Sequence, residues 1–202
     1  KIMLGIIISV IIGILGGLFF KNGFILENVD SFISLGLFLL LFFVGMDIGN
    51  NNEVFNQLKN MSKKILLLPI ITILGSLIGG AIASYFISLS LGESIAISSG
   101  MGWYSFSAIE LSKINAHLGG VAFLSNVLRE FSAILFIPFI AKKIGSYESV
   151  ATAGATAMDS VLPVINKSNP PDVAIIAFYS GLVITVIVPI LVPSVVSLFK
   201  LI

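Results

Sequence analysis

Apolar runs fill most of this chain, and the places where they break carry the information. Five stretches, about 2–20, 31–49, 65–90, 118–141 and 173–199, are long enough to cross a bilayer as helices, which takes about 20 apolar residues. Two further segments, about 94–116 and 150–166, are apolar but interrupted by Gly, Ser, Thr and Asp. Polar connections run from Asn50 to Lys64 and from Asn166 to Asp172, where Pro170 and Pro171 end any preceding helix. The pattern predicts an all-α integral membrane protein, with about five transmembrane helices and two re-entrant or broken helical segments in one membrane domain, residues 1–202. Residues 2–20 read as a retained helix rather than a signal peptide, because no small-x-small cleavage site follows them.

Composition agrees. The 202 residues are 57% hydrophobic and 10% charged, with a mean hydropathy of +1.11. A soluble domain carries roughly 25% charged residues, so this chain has too few to cover a water-facing surface. A net charge of +1 does not suggest a nucleic-acid partner. The absence of cysteine excludes disulfides, thiolate metal sites and a cysteine nucleophile. There is no Walker A sequence, and a single histidine, His117, cannot make a zinc protease site. No enzyme activity, metal or cofactor is expected.

If both broken segments dip in and return on one side, Lys1, Lys59, Lys63, Lys64, Lys142, Lys143 and Lys167 share a side. Only Lys21, Lys113 and Lys200 then face the other. The positive-inside rule makes the first side cytoplasmic, with the N-terminus inside and the C-terminus outside. The two segments also echo each other. Glu93-Ser94-Ile95-Ala96 aligns with Glu148-Ser149-Val150-Ala151, and in that register Ser105 meets Ser160. One crossing separates them, so they enter from opposite sides, as in the inverted repeats of secondary transporters. The spaced pairs Gly13/Gly17 and Gly75/Gly79 read as close helix packing.

The ionisable residues at membrane depth are the candidate chemistry, since a charge there is costly unless it is paired or lines a cavity. Asn126, Arg129 and Glu130 fall on one helical face near the middle of the fourth span. Arg129 reads either as a brace for exposed carbonyls or as part of a site. Glu130 reads as a proton or cation site. Asp159, in the second break, reads as a cation or proton carboxylate, or as a helix cap. Asp47 ends the second span and reads as an interfacial acid or a site residue. Gly100, Gly102, Trp103, Tyr104 and Ser105 occupy the first break, where the aromatic rings suit an aliphatic or cationic solute. Glu110 and Lys113 read as a solvated pair.

Three motifs together, Gly100-Met101-Gly102-Trp103-Tyr104-Ser105, Phe123 to Glu130 and Gly154 to Pro163, resemble the bacterial lysine exporter LysO family, from about the second span to Pro163. The resemblance implies an inner-membrane exporter of L-lysine and lysine-like cations in exchange for protons, with Asp159 as a functional carboxylate. Many family members begin with a further membrane section of roughly three spans. Its absence here points to a homodimer or a complex with a separate small membrane subunit. Two other readings stay open: an ion-coupled carrier of another small solute, and a non-transporting subunit that scaffolds a partner.

Overall fold

The computed structural model describes residues 12, 15–17, 28, 31–32, 35–36, 39, 42–43, 46 and 63–201. The chain divides into two compact units, Lys1–Asp47 and Ile48–Ile202. In the first, the described residues are helical apart from Asn28, whose carbonyl accepts from the backbone N–H groups of Ser31 and Phe32. Its described large apolar side chains are exposed, and Phe42 and Phe43 meet edge to face. Most of the first two expected spans, and Asp47, lie outside the described residues.

The second unit is helical throughout its described elements. A short turn, Lys63–Leu66, leads into α1 (Leu68–Ala83), followed by α2 (Leu91–Ser98), α3 (Tyr104–Ser112), α4 (Ala116–Lys143), α5 (Ser146–Ala153), a tighter 3-10 turn at Gly154–Met158, α6 (Leu162–Ser168) and α7 (Val173–Leu198). α4 and α7 are long and apolar enough to cross a membrane. Their bounds fall within two residues of the apolar runs read from the sequence.

Local chemistry sets the ends. Ser90 and Glu93 form a reciprocal capping box at the start of α2. The Asn115 side chain accepts the Leu118 N–H at 2.7 Å to start α4, and Lys142 and Lys143 sit in its last turn, where the helix dipole favours cations. α2 stops where Met101 and Gly102 take φ of 47° and 95°. α5 stops at Gly154, with φ 65°.

α2 and α3 form one pair of half-helices, and α5 and α6 form another. The first pair begins and ends near the Ala116 end of α4: Glu93 interacts electrostatically with His117, and a Cβ at Gly119 would meet Ser112. The second begins and ends near the Lys143 end. There Ser149 exchanges hydrogen bonds with Asn169 at 3.1–3.3 Å, and Lys142 and Lys167 line one groove. The two pairs therefore point in opposite directions along α4. Their first arms, Leu91–Ser98 and Ser146–Ala153, are offset by 55 residues at both ends, and so are the last residues of α4 and α7, Lys143 and Leu198.

The core lies around the second pair: Ala133 and Ile137 of α4 pack with Val150, Ala153, Ala157, Val161, Ile165, Val173 and Ala177. α7 closes on the 3-10 turn because residue 181 is glycine. A Cβ there would lie 2.6 Å from the Met158 nitrogen and 2.8 Å from the Ala155 carbonyl oxygen. By contrast, nothing described lies within 4 Å of a Cβ added at Gly75 or Gly79. On α1 it is Gly80 that fits closely, against Ser94 and Ser98.

Candidate functional site

The two breaks touch. The backbone N–H of Ala155, in the second, donates to the Met101 carbonyl in the first at 2.9 Å. A side chain at Gly154 would collide with that same carbonyl, so glycine is what permits the approach.

α4 carries the residues that brace this junction. Asn126 is buried. Its Oδ1 accepts the Gly102 N–H at 2.7 Å, and its Nδ2 faces the Ala122 carbonyl at 2.9 Å, Ser107 Oγ at 3.2 Å and the Ile97 carbonyl at 3.3 Å. The close fit extends to Gly100, where a Cβ would stand 2.8 Å from Asn126 Nδ2. One turn on, Arg129 donates from Nε to the Thr152 carbonyl at 3.3 Å and from Nη1 to Ser76 Oγ at 2.8 Å. The Ser76 hydroxyl in turn donates to the Ser98 carbonyl at 2.9 Å. Arg129 thus binds the end of α5 directly and the end of α2 through Ser76. This is the brace for exposed carbonyls, and it satisfies polar groups that lipid cannot.

The acids stand apart from the brace. Glu130 is half-buried and has no hydrogen-bond or ion-pair partner among the described residues. Asp159 is exposed at the end of the 3-10 turn. Its Oδ1 accepts from the backbone N–H and the hydroxyl of the adjacent Ser160. It does not cap α6, whose N-cap is Val161 with no side-chain cap bond. No described hydrogen bond or ion pair joins Asp159 to Glu130 or Arg129.

In the first break Trp103 is half-buried and stacks at a tilt on Phe106, 5.2 Å between ring centres. Tyr104 and Ser105 are exposed, and Tyr104 meets Phe123 edge to face at 5.5 Å. Tyr104 occupies the repeat position of Asp159, 55 residues earlier. Glu110 and Lys113 pair at 2.7 Å, as their spacing predicts. Among the described residues no cluster of His, Asp or Glu could hold a metal ion. Ser76 is the site residue that the sequence reading lacks: a lone serine in an apolar span carries no signal of its own, and its partner lies 53 positions away.

Residues 7–196 match the family model for the lysine exporter LysO. The chain is 34% identical over 184 residues to a putative lysine exporter of Haemophilus influenzae, covering 91% of this chain and 92% of that protein. It is 32% identical over 168 residues to the lysine exporter LysO of Escherichia coli K12, covering 83% of this chain. It spans only 56% of the length of that second relative. No solved structure matches. The family is one of exporters rather than enzymes, and this chain belongs to it: it is a member of the lysine exporter LysO family.

Proposed function

We propose that residues 1–202 form a membrane transport domain that exports L-lysine, and cations like it, by exchange with protons. The names of the two relatives supply the substrate class. The observation that carries the reading is the junction itself. Two interrupted helices are joined by the Ala155–Met101 hydrogen bond, and neither Glu130 on α4 nor Asp159 after the second break has a cationic partner among the described residues. Broken backbone inside a bilayer is tolerated where it is buried in protein or lines a cavity. A pair of half-helices that starts and ends at one end of α4 is, in a membrane, a re-entrant segment. Two pairs pointing oppositely along α4 make an inverted repeat, the architecture of alternating access.

The chemistry follows from a carboxylate that holds either a proton or an ammonium. Asp159 is assigned that role: its Oδ2 has no hydrogen bond among the described residues, and it takes no part in capping α6. Glu130 is a second proton or cation site, and Trp103 and Tyr104 flank the aliphatic stem. Moving a cation out against an inside-negative potential costs about 2.3 kcal/mol per charge for each 100 mV, and an incoming proton offsets that. The lysine bias supports an inner-membrane protein with its N-terminus in the cytoplasm and its C-terminus outside. An anion carrier centred on Arg129 has less support, because Nε and Nη1 already serve Thr152 and Ser76.

Asp159→Asn tests the reading in cells loaded with a lysine dipeptide. The expected result is loss of lysine efflux with normal membrane insertion. Efflux at the wild-type rate would remove Asp159 from the mechanism. Efflux by the purified wild-type chain in liposomes would reject the scaffold alternative.

A further inference from the structure

A groove of about 780 Å³ opens between the C-terminal part of α4 and the length of α6, lined by Pro138, Lys142, Pro163, Val164, Lys167 and Ser168. Its wall is two-sided in character, with two proline rings and a valine on one hand and two ammonium groups and a hydroxyl on the other. The lysines come from different elements, Lys142 from the last turn of α4 and Lys167 from the last turn of α6. Among the described residues neither forms an ion pair and no carboxylate lines the groove. Two like charges brought to one space repel, so an anion seated between them is favoured by both.

The repeat indicates that the fold does not need these lysines. In the 55-residue register the counterparts of Lys142 and Lys167 are Ile87 and Ser112, and those of Pro138 and Pro163 are Ala83 and Ala108. The cations therefore belong to one end of the molecule only. That end is the final turn of a helix long and apolar enough to cross a membrane, which places it at the depth of phospholipid headgroups. Basic pockets between membrane helices suit anionic headgroups there.

We propose that this groove binds an anionic phospholipid. Its phosphate sits between Lys142 and Lys167 with the Ser168 hydroxyl as a further donor, and its glycerol and upper acyl carbons lie on Pro138, Pro163 and Val164. The inference goes beyond the export reading and does not depend on it.

Native mass spectrometry of the purified full chain, eluted into detergent with equimolar phosphatidylglycerol and phosphatidylcholine, reads the binding without any transport assay. The expected preference for phosphatidylglycerol is on the order of thirtyfold, from about 1 kcal/mol for each of the two lysines near an anionic surface. The K142Q/K167Q variant should retain the two lipids alike, while K200Q, with its lysine outside the groove, keeps the wild-type preference. Both groove lysines are exposed, so the double variant should unfold at the wild-type temperature. Equal retention of both lipids by wild type, or an undiminished preference in the double variant, overturns the proposal. Millimolar inorganic phosphate should leave the lipid in place, and its displacement of the lipid would assign the site to a free anion instead.

Discussion

Asn126 and Arg129, one turn apart on α4, hold the same carbonyl in the two halves of the repeat. Asn126 Nδ2 faces the Ile97 carbonyl and Arg129 Nε donates to that of Thr152, each at 3.3 Å and 55 residues apart in the sequence. Both carbonyls belong to the last turn of a half-helix, where the regular i+4 partner is missing, although the Ile97 carbonyl also accepts the Gly100 N–H at 3.2 Å. A single central helix therefore caps both broken segments. The asymmetry lies in how much each side chain does. Asn126 works only on the first segment, whereas Arg129 reaches the second directly and the first by way of Ser76.

Asn126→Ala should be among the most destabilising single changes in the described fold. It leaves the buried Gly102 N–H without its acceptor, while the Ile97 carbonyl keeps only the Gly100 N–H. An unsatisfied buried group costs about 1–3 kcal/mol, which for a chain of this size is roughly 2–12 °C in unfolding temperature. Thermal unfolding of the purified variant in detergent checks it. An unchanged midpoint would mean that water or relaxation replaces the amide at no cost.

Gly154→Ala should be worse than Gly120→Ala. The first position has positive φ, and its new Cβ would strike the Met101 carbonyl that accepts from Ala155. The second has nothing within 4 Å. Positive φ alone costs an alanine about 1–2 kcal/mol, so unfolding midpoints at least about 2 °C apart are expected. Gly154→Ala should also lose export through separation of the breaks, even where protein is recovered.

Apolar length made α4 and α7 legible in the sequence, because crossing a bilayer leaves little freedom in where a helix stops. The glycines and polar residues at 98–105 and 154–160 made both breaks legible, for the same reason that they cannot continue a helix against lipid. The division of labour on α4 was not legible. Spacing puts Asn126, Arg129 and Glu130 on one face, yet their partners depend on which neighbour lies a few ångströms to either side. Glycine spacing likewise singled out Gly75 and Gly79, while the close contact falls on Gly80, outside the repeating pair. Asp47 and most of the first two spans fall outside the described residues.

Ser76 and Arg129 should behave as one unit. Ser76→Ala removes the bridge from Arg129 to the Ser98 carbonyl, at an expected cost of about 1 kcal/mol. Arg129→Lys keeps the charge but lacks the planar fork that serves Thr152 and Ser76 together, and should cost more. In a double-mutant cycle on unfolding free energy the two changes should couple by at least about 0.5 kcal/mol, as contacting residues do. Strict additivity would show that the bridge carries no stability.

Glu130→Gln separates function from folding most cleanly. Unlike its neighbours on α4, Glu130 has no described hydrogen bond or ion pair, so the fold loses no partner when its charge is removed. A lone carboxylate at membrane depth is itself costly, by about 2.5–3.5 kcal/mol on insertion scales for the comparable Asp. Glutamine should therefore leave the unfolding midpoint unchanged or raise it. Export should fall nonetheless, because glutamine cannot hold a proton or balance an ammonium. Paired measurements of thermal unfolding and lysine efflux on one preparation decide the matter. A stable variant with reduced efflux assigns the carboxylate to transport. A variant that unfolds early shows that Glu130 is structural, and a stable one with full efflux removes it from the site.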